Sequence, residues 1–454
     1  MRIAPRFIKA SIVVLAFLVA LWWTEQWAVV FLGLSALAVA VIIHQNNWQI
    51  PAFRALAAFL PWSVKVDLGA VSMMLPSEWG IGTLALVVLL SMFTNNTRPK
   101  GWGNWLPILW ILTFILPVLL SSMLKVSIKF ALINAVYLVT FFYGTLTFGS
   151  SEANRWIRNY FVSFVGVALW GWFQFYLYEF NPITIVGIFK PFYYSSTYVG
   201  AVAAMYVGYF IGRIPNSRKQ LLFALTALGI VLFSESRAAL LSLVVMLAGY
   251  GLLRLPKSAR IITPILILVV GGAAIGPEKI REAFAYNTVE SHDPNANVFE
   301  ETLSVTNVQT DVSNIERLNR WVSALKMFQD RPHFGFGPGT YQFQYIPYQE
   351  AGLKNRLSVR NPDDVPQGSG GSAHSELLLQ LSENGWPSVL LFILMLGLWM
   401  YRSLIAPGGV GLAPFFLGLI TYLFHMNVNN FLNQPGFAFL FWTFGAMLMT
   451  NNHE

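Results

Sequence analysis

Apolar residues in this chain come in long blocks, and most of the blocks approach the length that crosses a bilayer. They run at roughly 8–23, 27–44, 50–64, 79–94, 105–122, 126–148, 159–180, 195–212, 219–234, 237–254, 260–275, 386–401, 410–427 and 435–450. A helix needs roughly 17–25 apolar residues to cross the hydrocarbon core. A β-barrel would show short alternating segments instead. The chain therefore predicts an all-α polytopic membrane protein with 12–14 transmembrane helices. The count turns on the first 65 residues, where 50–64 is the weakest span, and on the Asn-rich stretch 427–433. Composition agrees: 11% of residues are charged, where a soluble domain carries about 25%.

Charge placement orients the helices. Arg2, Arg6 and Lys9 precede the first span. Further basic loops hold Arg98 and Lys100, Arg155 and Arg158, Arg213, Arg218 and Lys219, and Arg254, Lys257 and Arg260. All fall on one side if both termini are cytoplasmic, as the positive-inside rule requires. The net charge of +8 is thereby assigned to membrane orientation, with lipid and not nucleic acid as the partner. Trp22, Trp23, Trp27, Trp102, Trp105 and Trp386 sit near span ends, as interfacial anchors do. The N-terminal segment has the charge order of a signal peptide without a convincing small-residue cleavage site, and reads as a retained first helix.

One long polar segment interrupts this pattern. It divides the chain into N-terminal transmembrane helices (1–276), a large loop outside the cytoplasm (277–385) and C-terminal transmembrane helices (386–454). Within it, Glu316–Met327 has helical periodicity, with Leu318, Trp321, Val322 and Leu325 as the apolar stripe. Asp330-Arg331-Pro332 ends that helix. Gly335, Gly337 and Gly339 with Pro338 then force a compact turn where backbone can approach a ligand. Residues 346–371 read as a mobile flap. Glu376–Ser382 reads as a second helix with Leu377, Leu378 and Leu381 on one face, stopped by Gly385.

Four places carry residues suited to chemistry. Arg237 closes a Ser-Glu-Ser-Arg turn between two spans; it is placed either to snorkel to headgroups or to aim its guanidinium fork at a phosphate. Arg317 and Arg320 share a helix face, where Glu316 can pair with them or they can meet an anion. His374 opens a helix directly before a span, as a capping residue or as a general base at the membrane surface. Glu376 can orient that histidine or complement the helix N-terminus. His292, His333 and His425 are weaker candidates. No histidine–carboxylate spacing matches a metal motif, and the glycine run does not join a strand to a helix as a nucleotide fingerprint does. The absence of cysteine excludes disulfides, thiol catalysis and Cys-ligated metals.

Three motifs in this order resemble the O-antigen ligase / O-antigen polymerase superfamily of bacterial inner-membrane proteins. They are SESRAALLSL (Ser234–Leu243), RLNRWVSALKMFQDRPHFGFGPGTYQFQY (Arg317–Tyr345) and AHSELLLQLSENGWPSVLLF (Ala373–Phe392). The chain departs from the family in a long acidic and Gly-rich insertion before His374, and in Ser375 where Asn is frequent. The resemblance implies a GT-C-type glycosyltransferase that takes a glycan from undecaprenyl pyrophosphate at the periplasmic face. A ligase passes it to lipid A–core. The implied catalytic residues are His374, Arg237 and Arg317, with Arg320, Gly337 and Glu376 as substrate-binding candidates. Neither metal nor cofactor is implied. The alternatives are a polymerase that uses a lipid-linked repeat as acceptor, and a protein O-oligosaccharyltransferase. A transporter would place charges in mid-span, and the strongest spans hold few.

Overall fold

The structure, a computed structural model, describes residues 27–67, 72–95, 101–264, 266, 307–359, 371–405 and 411–450. In chain order the helices begin with α1 (Trp27–Gln45), α2 (Gln49–Phe59), α3 (Ser77–Thr94), α4 (Leu106–Leu112), α5 (Ile115–Leu119) and α6 (Leu124–Tyr137). Then come α7 (Gly144–Phe148), α8 (Ser150–Leu177), α9 (Ser196–Arg213), α10 (Lys219–Phe233) and α11 (Arg237–Arg254). The polar segment contributes α12 (Val312–Asp330), α13 (Tyr341–Gln344) and α14 (Glu376–Asn384). The chain closes with α15 (Trp386–Ile405), α16 (Ala413–His425) and α17 (Pro435–Met449). A two-stranded antiparallel hairpin, β1 (Val64–Asp67) and β2 (Ser72–Leu75), pairs Val64 with Leu75 and Asp67 with Ser72.

This is an all-α polytopic membrane protein. Six segments among the described residues are long and apolar enough to span: Ser77–Thr94, Trp102–Leu119, Leu124–Phe148, Ser150–Leu177, Arg237–Arg254 and Trp386–Ile405. Leu32–Gln45, Lys219–Phe233, Ala413–His425 and Pro435–Met449 are shorter apolar helices. The expected span at 8–23 and most of that at 260–275 lie outside the described residues. The weak span at 50–64 is instead α2, a 3-10 turn (Leu60–Trp62) and the start of β1. Pro61 sits in that turn, where it cannot donate into a continuing helix. Trp102–Leu119 is a 3-10 turn (Trp102–Trp105) followed by α4 and α5, which are separate because Pro117 has no N–H to offer Thr113 one turn earlier. Leu124–Phe148 runs unbroken through a π-helical segment, Leu138–Tyr143.

One compact unit comprises the described parts of Met1–Gly101, Ala135–Ser196 and Gln434–Asn451. Every residue of α17 is buried in it. The Phe439 ring lies edge-on to Phe141 at 5.3 Å and to Tyr160 at 5.4 Å. Arg54 on α2 grips Glu152 on α8 through two nitrogens, Nε at 3.0 Å and Nη2 at 2.9 Å. The far end of α8 leaves Trp172, Phe173, Tyr176 and Leu177 exposed.

The second unit comprises the described parts of Trp102–Asn134 and Thr197–Asn433. Here α9 approaches α16 through glycines. A Cβ on Gly208 would overlap the Leu417 carbonyl, and one on Gly212 would overlap Pro414. Small residues let helix backbones come this close. Gly200 makes the same allowance for the Ser234–Ser236 turn. That turn leads into α11, which packs along α16.

Candidate functional site

The Ser234–Arg237 turn is tightly built. Ser234 Oγ donates to Val231 O at 2.7 Å and accepts from Ser236 N at 3.3 Å. Ser236 caps α11 by accepting from Ala239 N at 3.3 Å. Glu235 adopts a left-handed backbone, φ 49°. Arg237 is therefore the first residue of α11. A cation at a helix N-terminus works against the macrodipole, so this placement does nothing for the helix and suits contact with an anion.

α12 begins where Asp311 caps it, its Oδ1 accepting from Ser313 N at 3.0 Å and Asn314 N at 3.1 Å. The cap explains why the helix starts four residues before the expected Glu316. The expected apolar stripe is not the buried face. Asn314, Glu316, Asn319, Arg320, Ser323, Ala324 and Met327 are buried, whereas Leu318, Trp321 and Val322 are half-buried and Leu325 is exposed. α14 repeats the inversion. Glu376, Leu379, Gln380, Ser382, Glu383 and Asn384 are buried, and Leu377, Leu378 and Leu381 are only partly so. Buried polar side chains are tolerated when they satisfy one another, and here most do, Asn319 Nδ2 and Asn384 Oδ1 being the exceptions. Glu316 pairs with Arg320 at 2.8 Å and accepts from Ser358 Oγ at 2.6 Å. Asn319 Oδ1 accepts from Glu350 N at 2.9 Å. Those last contacts dock residues 346–359 on α12, so this described part of the expected flap is anchored.

Arg317 projects from α12 beside Asn314, to whose Oδ1 it donates at 3.2 Å. Its Nε is buried with no hydrogen-bond partner. Burial, and next the field of Arg237, lower the Arg317 pKa, while Asp311 raises it. His374 is half-buried and has a left-handed backbone, φ 50°. Burial first, then Arg317 and Arg320, push its pKa down to about 3, so its imidazole is neutral at physiological pH. Arg317 thus lies within electrostatic reach of Arg237 and of His374, which come from two other segments. Guanidinium forks suit phosphate-like anions, and a neutral imidazole can accept a proton.

Arg320, Gly337 and Glu376 are engaged with the protein itself. Arg320 pairs with Glu316, donates to Ser372 O at 3.1 Å and lies 5.2 Å from the Tyr345 ring centroid. Gly337, φ 107°, presents its Cα to the hydroxyls of Ser121 and Ser127 and donates its N–H to Glu383 O at 2.8 Å. The close approach its turn permits is an approach to the chain itself. Glu376 is buried and turned to the 426–432 turn, accepting from Leu432 N at 2.7 Å. Burial holds its pKa up at about 7 against hydrogen bonds from Leu432 and Phe431. His333 is also engaged, its Nδ1 accepting from Trp386 Nε1 at 2.9 Å. His292 lies outside the described residues.

Residues 222–393 match the family model described as O-Antigen ligase. The match supports an assignment to the O-antigen ligase/polymerase superfamily. The match runs from α10 into α15 and contains all three motifs. No curated protein matches the chain. Members of that superfamily are glycosyltransferase-like enzymes acting on lipid-linked glycans, and the match and the apolar helices together point to a multi-pass bacterial membrane protein. Glu383, within the third motif, was not among the sequence candidates. Glu383 anchors the glycine turn, accepting from Tyr341 N at 3.0 Å and from Gly339 N. Burial pushes its pKa up to about 8. Among the described residues no group of three histidines or carboxylates is arranged to hold a metal.

Proposed function

We propose that the protein is an O-antigen ligase, transferring a glycan from undecaprenyl pyrophosphate to lipid A–core at the periplasmic face of the inner membrane. The coupling of Arg317 to both Arg237 and His374 supports this reading. In the reaction an acceptor hydroxyl attacks the anomeric carbon from the side opposite the pyrophosphate. The new C–O bond forms as the old one breaks, its electron pair leaves with the pyrophosphate, and the configuration inverts. Arg237 and Arg317 neutralise the developing charge. His374 takes the hydroxyl proton at a ring nitrogen. The field that keeps His374 weakly basic comes partly from Arg317 and Arg320. A bound pyrophosphate offsets that field, so the base gains strength when the donor is seated. Both substrates are anchored in one membrane, which raises their effective concentration. In this reading residues 277–385 are the periplasmic loop and both termini are cytoplasmic.

The test is reconstitution in proteoliposomes with undecaprenyl-pyrophosphate-linked glycan and lipid A–core. Wild type should label lipid A–core, and His374→Ala and Arg237→Ala should each lower the rate about 100-fold or more. Elongation of the undecaprenyl-linked glycan instead would make the enzyme a polymerase with the same site. Transfer to a Ser- or Thr-bearing protein would make it an O-oligosaccharyltransferase. Full activity in His374→Ala would remove the base assignment under any acceptor.

A further inference from the structure

The turn between α16 and α17 carries Asn427, Asn429, Asn430 and Asn433, and nothing in the proposed chemistry uses it. It meets the segment around His374 at successive atoms. Asn430 Oδ1 accepts from Ser375 N at 3.2 Å. Met426 O accepts from Glu376 N at 2.7 Å. Leu432 N donates to Glu376 Oε1 at 2.7 Å. The turn is itself tethered, because Asn433 Oδ1 accepts from Asn134 Nδ2 on α6 at 3.2 Å. From the other side, α12 reaches the same segment. Trp321 Nε1 donates to His374 O at 3.3 Å, and Arg320 Nη1 donates to Ser372 O at 3.1 Å.

Between these two sets of contacts His374 sits at φ 50°. A non-glycine residue there carries backbone strain and persists where its surroundings over-determine it. The φ angle also sets the direction of the Cα–Cβ bond. A return to the right-handed region would swing the imidazole off its line to the acceptor.

We infer that Asn430 and Trp321 are positioning residues, which clamp the His374 main chain from opposite sides and thereby aim its imidazole. The inference rests on the reading of His374 as the base. Neither residue needs to touch substrate. Asn430 acts through the Ser375 N–H, and Trp321 acts through the His374 carbonyl.

The experiment uses the full-length enzyme in proteoliposomes with the lipid-linked donor and the acceptor above. Asn430→Ala removes one side of the clamp, and Trp321→Phe removes the indole N–H while leaving a ring to pack. Since misplacement by about 1 Å can cost roughly 100-fold in rate, each variant should lower kcat about 10–100-fold. Donor KM should stay within about twofold, because the arginines that hold the pyrophosphate are untouched. In a His374→Ala background neither substitution should lower the residual rate further, since residues acting as one unit are not additive. Wild-type kcat in either folded variant overturns the clamp. So does a further loss of the same size in the His374→Ala background, which would make the effect independent of the base. Trp321→Phe keeps the proposal testable should Asn430→Ala fail to fold. Full activity in His374→Ala alone would instead remove the base assignment on which the inference rests, so the two failures are told apart.

Discussion

The helix α17 and the helix α12 bury opposite kinds of surface. α17 is buried along its whole length and is apolar but for Thr443 and its glycines, with aromatic rings packed edge to face. α12 buries Asn314, Glu316, Asn319, Arg320 and Ser323, and leaves Leu325 at its surface. An apolar interior tolerates exchange, because any side chain of similar volume fills it almost as well. A polar interior does not, because each donor and acceptor has a directional partner and a lost partner leaves a desolvated group behind. The first kind of burial holds a helix in place. The second fixes one arrangement of it, which is what a site assembled from three distant segments needs.

The comparison can be broken most directly at Glu316. Glu316→Ala leaves the buried Arg320 guanidinium without its counter-charge, so unfolding of the detergent-solubilised protein should show a loss of about 3–5 kcal/mol. A variant as stable as wild type would mean that the polar face of α12 is held by packing alone.

A smaller effect should appear with pH. The carboxyls of Glu376 and Glu383 titrate near 7 and 8 in the folded protein against 4.5 for a free side chain. The folded state therefore keeps protons that the unfolded state has released, and stability falls as pH rises through that window. His374, lowered from 6.5 to about 3, has the opposite slope between those values. The carboxyl effect is thus read cleanly from about 6.5 to 8. Melting temperature should drop across that range in wild type and drop less in Glu383→Gln, where only Glu376 still titrates.

The smallest effect is expected in the apolar interior. Leu440→Met on α17 conserves volume at a fully buried position, so it should cost less than about 1.5 kcal/mol and leave transfer near wild type. A larger loss would show that this interior is as exacting as the polar one.

The sequence made the spans legible because hydropathy over about 18 residues is a strong signal. It was silent on the β1–β2 hairpin, whose strands are four residues each. The two site helices were legible as helices with an apolar stripe each, but the face that is buried is the other, polar one. Periodicity of 3.6 marks two opposite faces of α12; it does not say which one turns inward when both carry something to satisfy. Arg237, Arg317 and His374 could be named from their motifs. Asn430 could not, since its contact with Ser375 joins residues 55 positions apart and no local pattern records it.

The 28 residues of α8 extend to roughly 42 Å at 1.5 Å per residue. The hydrocarbon slab is only about 30 Å thick. Such a helix leans over or stands proud of the acyl chains, and its aromatic end, Trp172 to Leu177, then rides at headgroup depth. Hydrophobic mismatch makes its seating depend on lipid chain length. Thin short-chain bilayers would strip more of those rings of acyl contact, and thicker ones would cover them. The lipid chosen for reconstitution is for that reason a variable of the enzyme and not a neutral solvent.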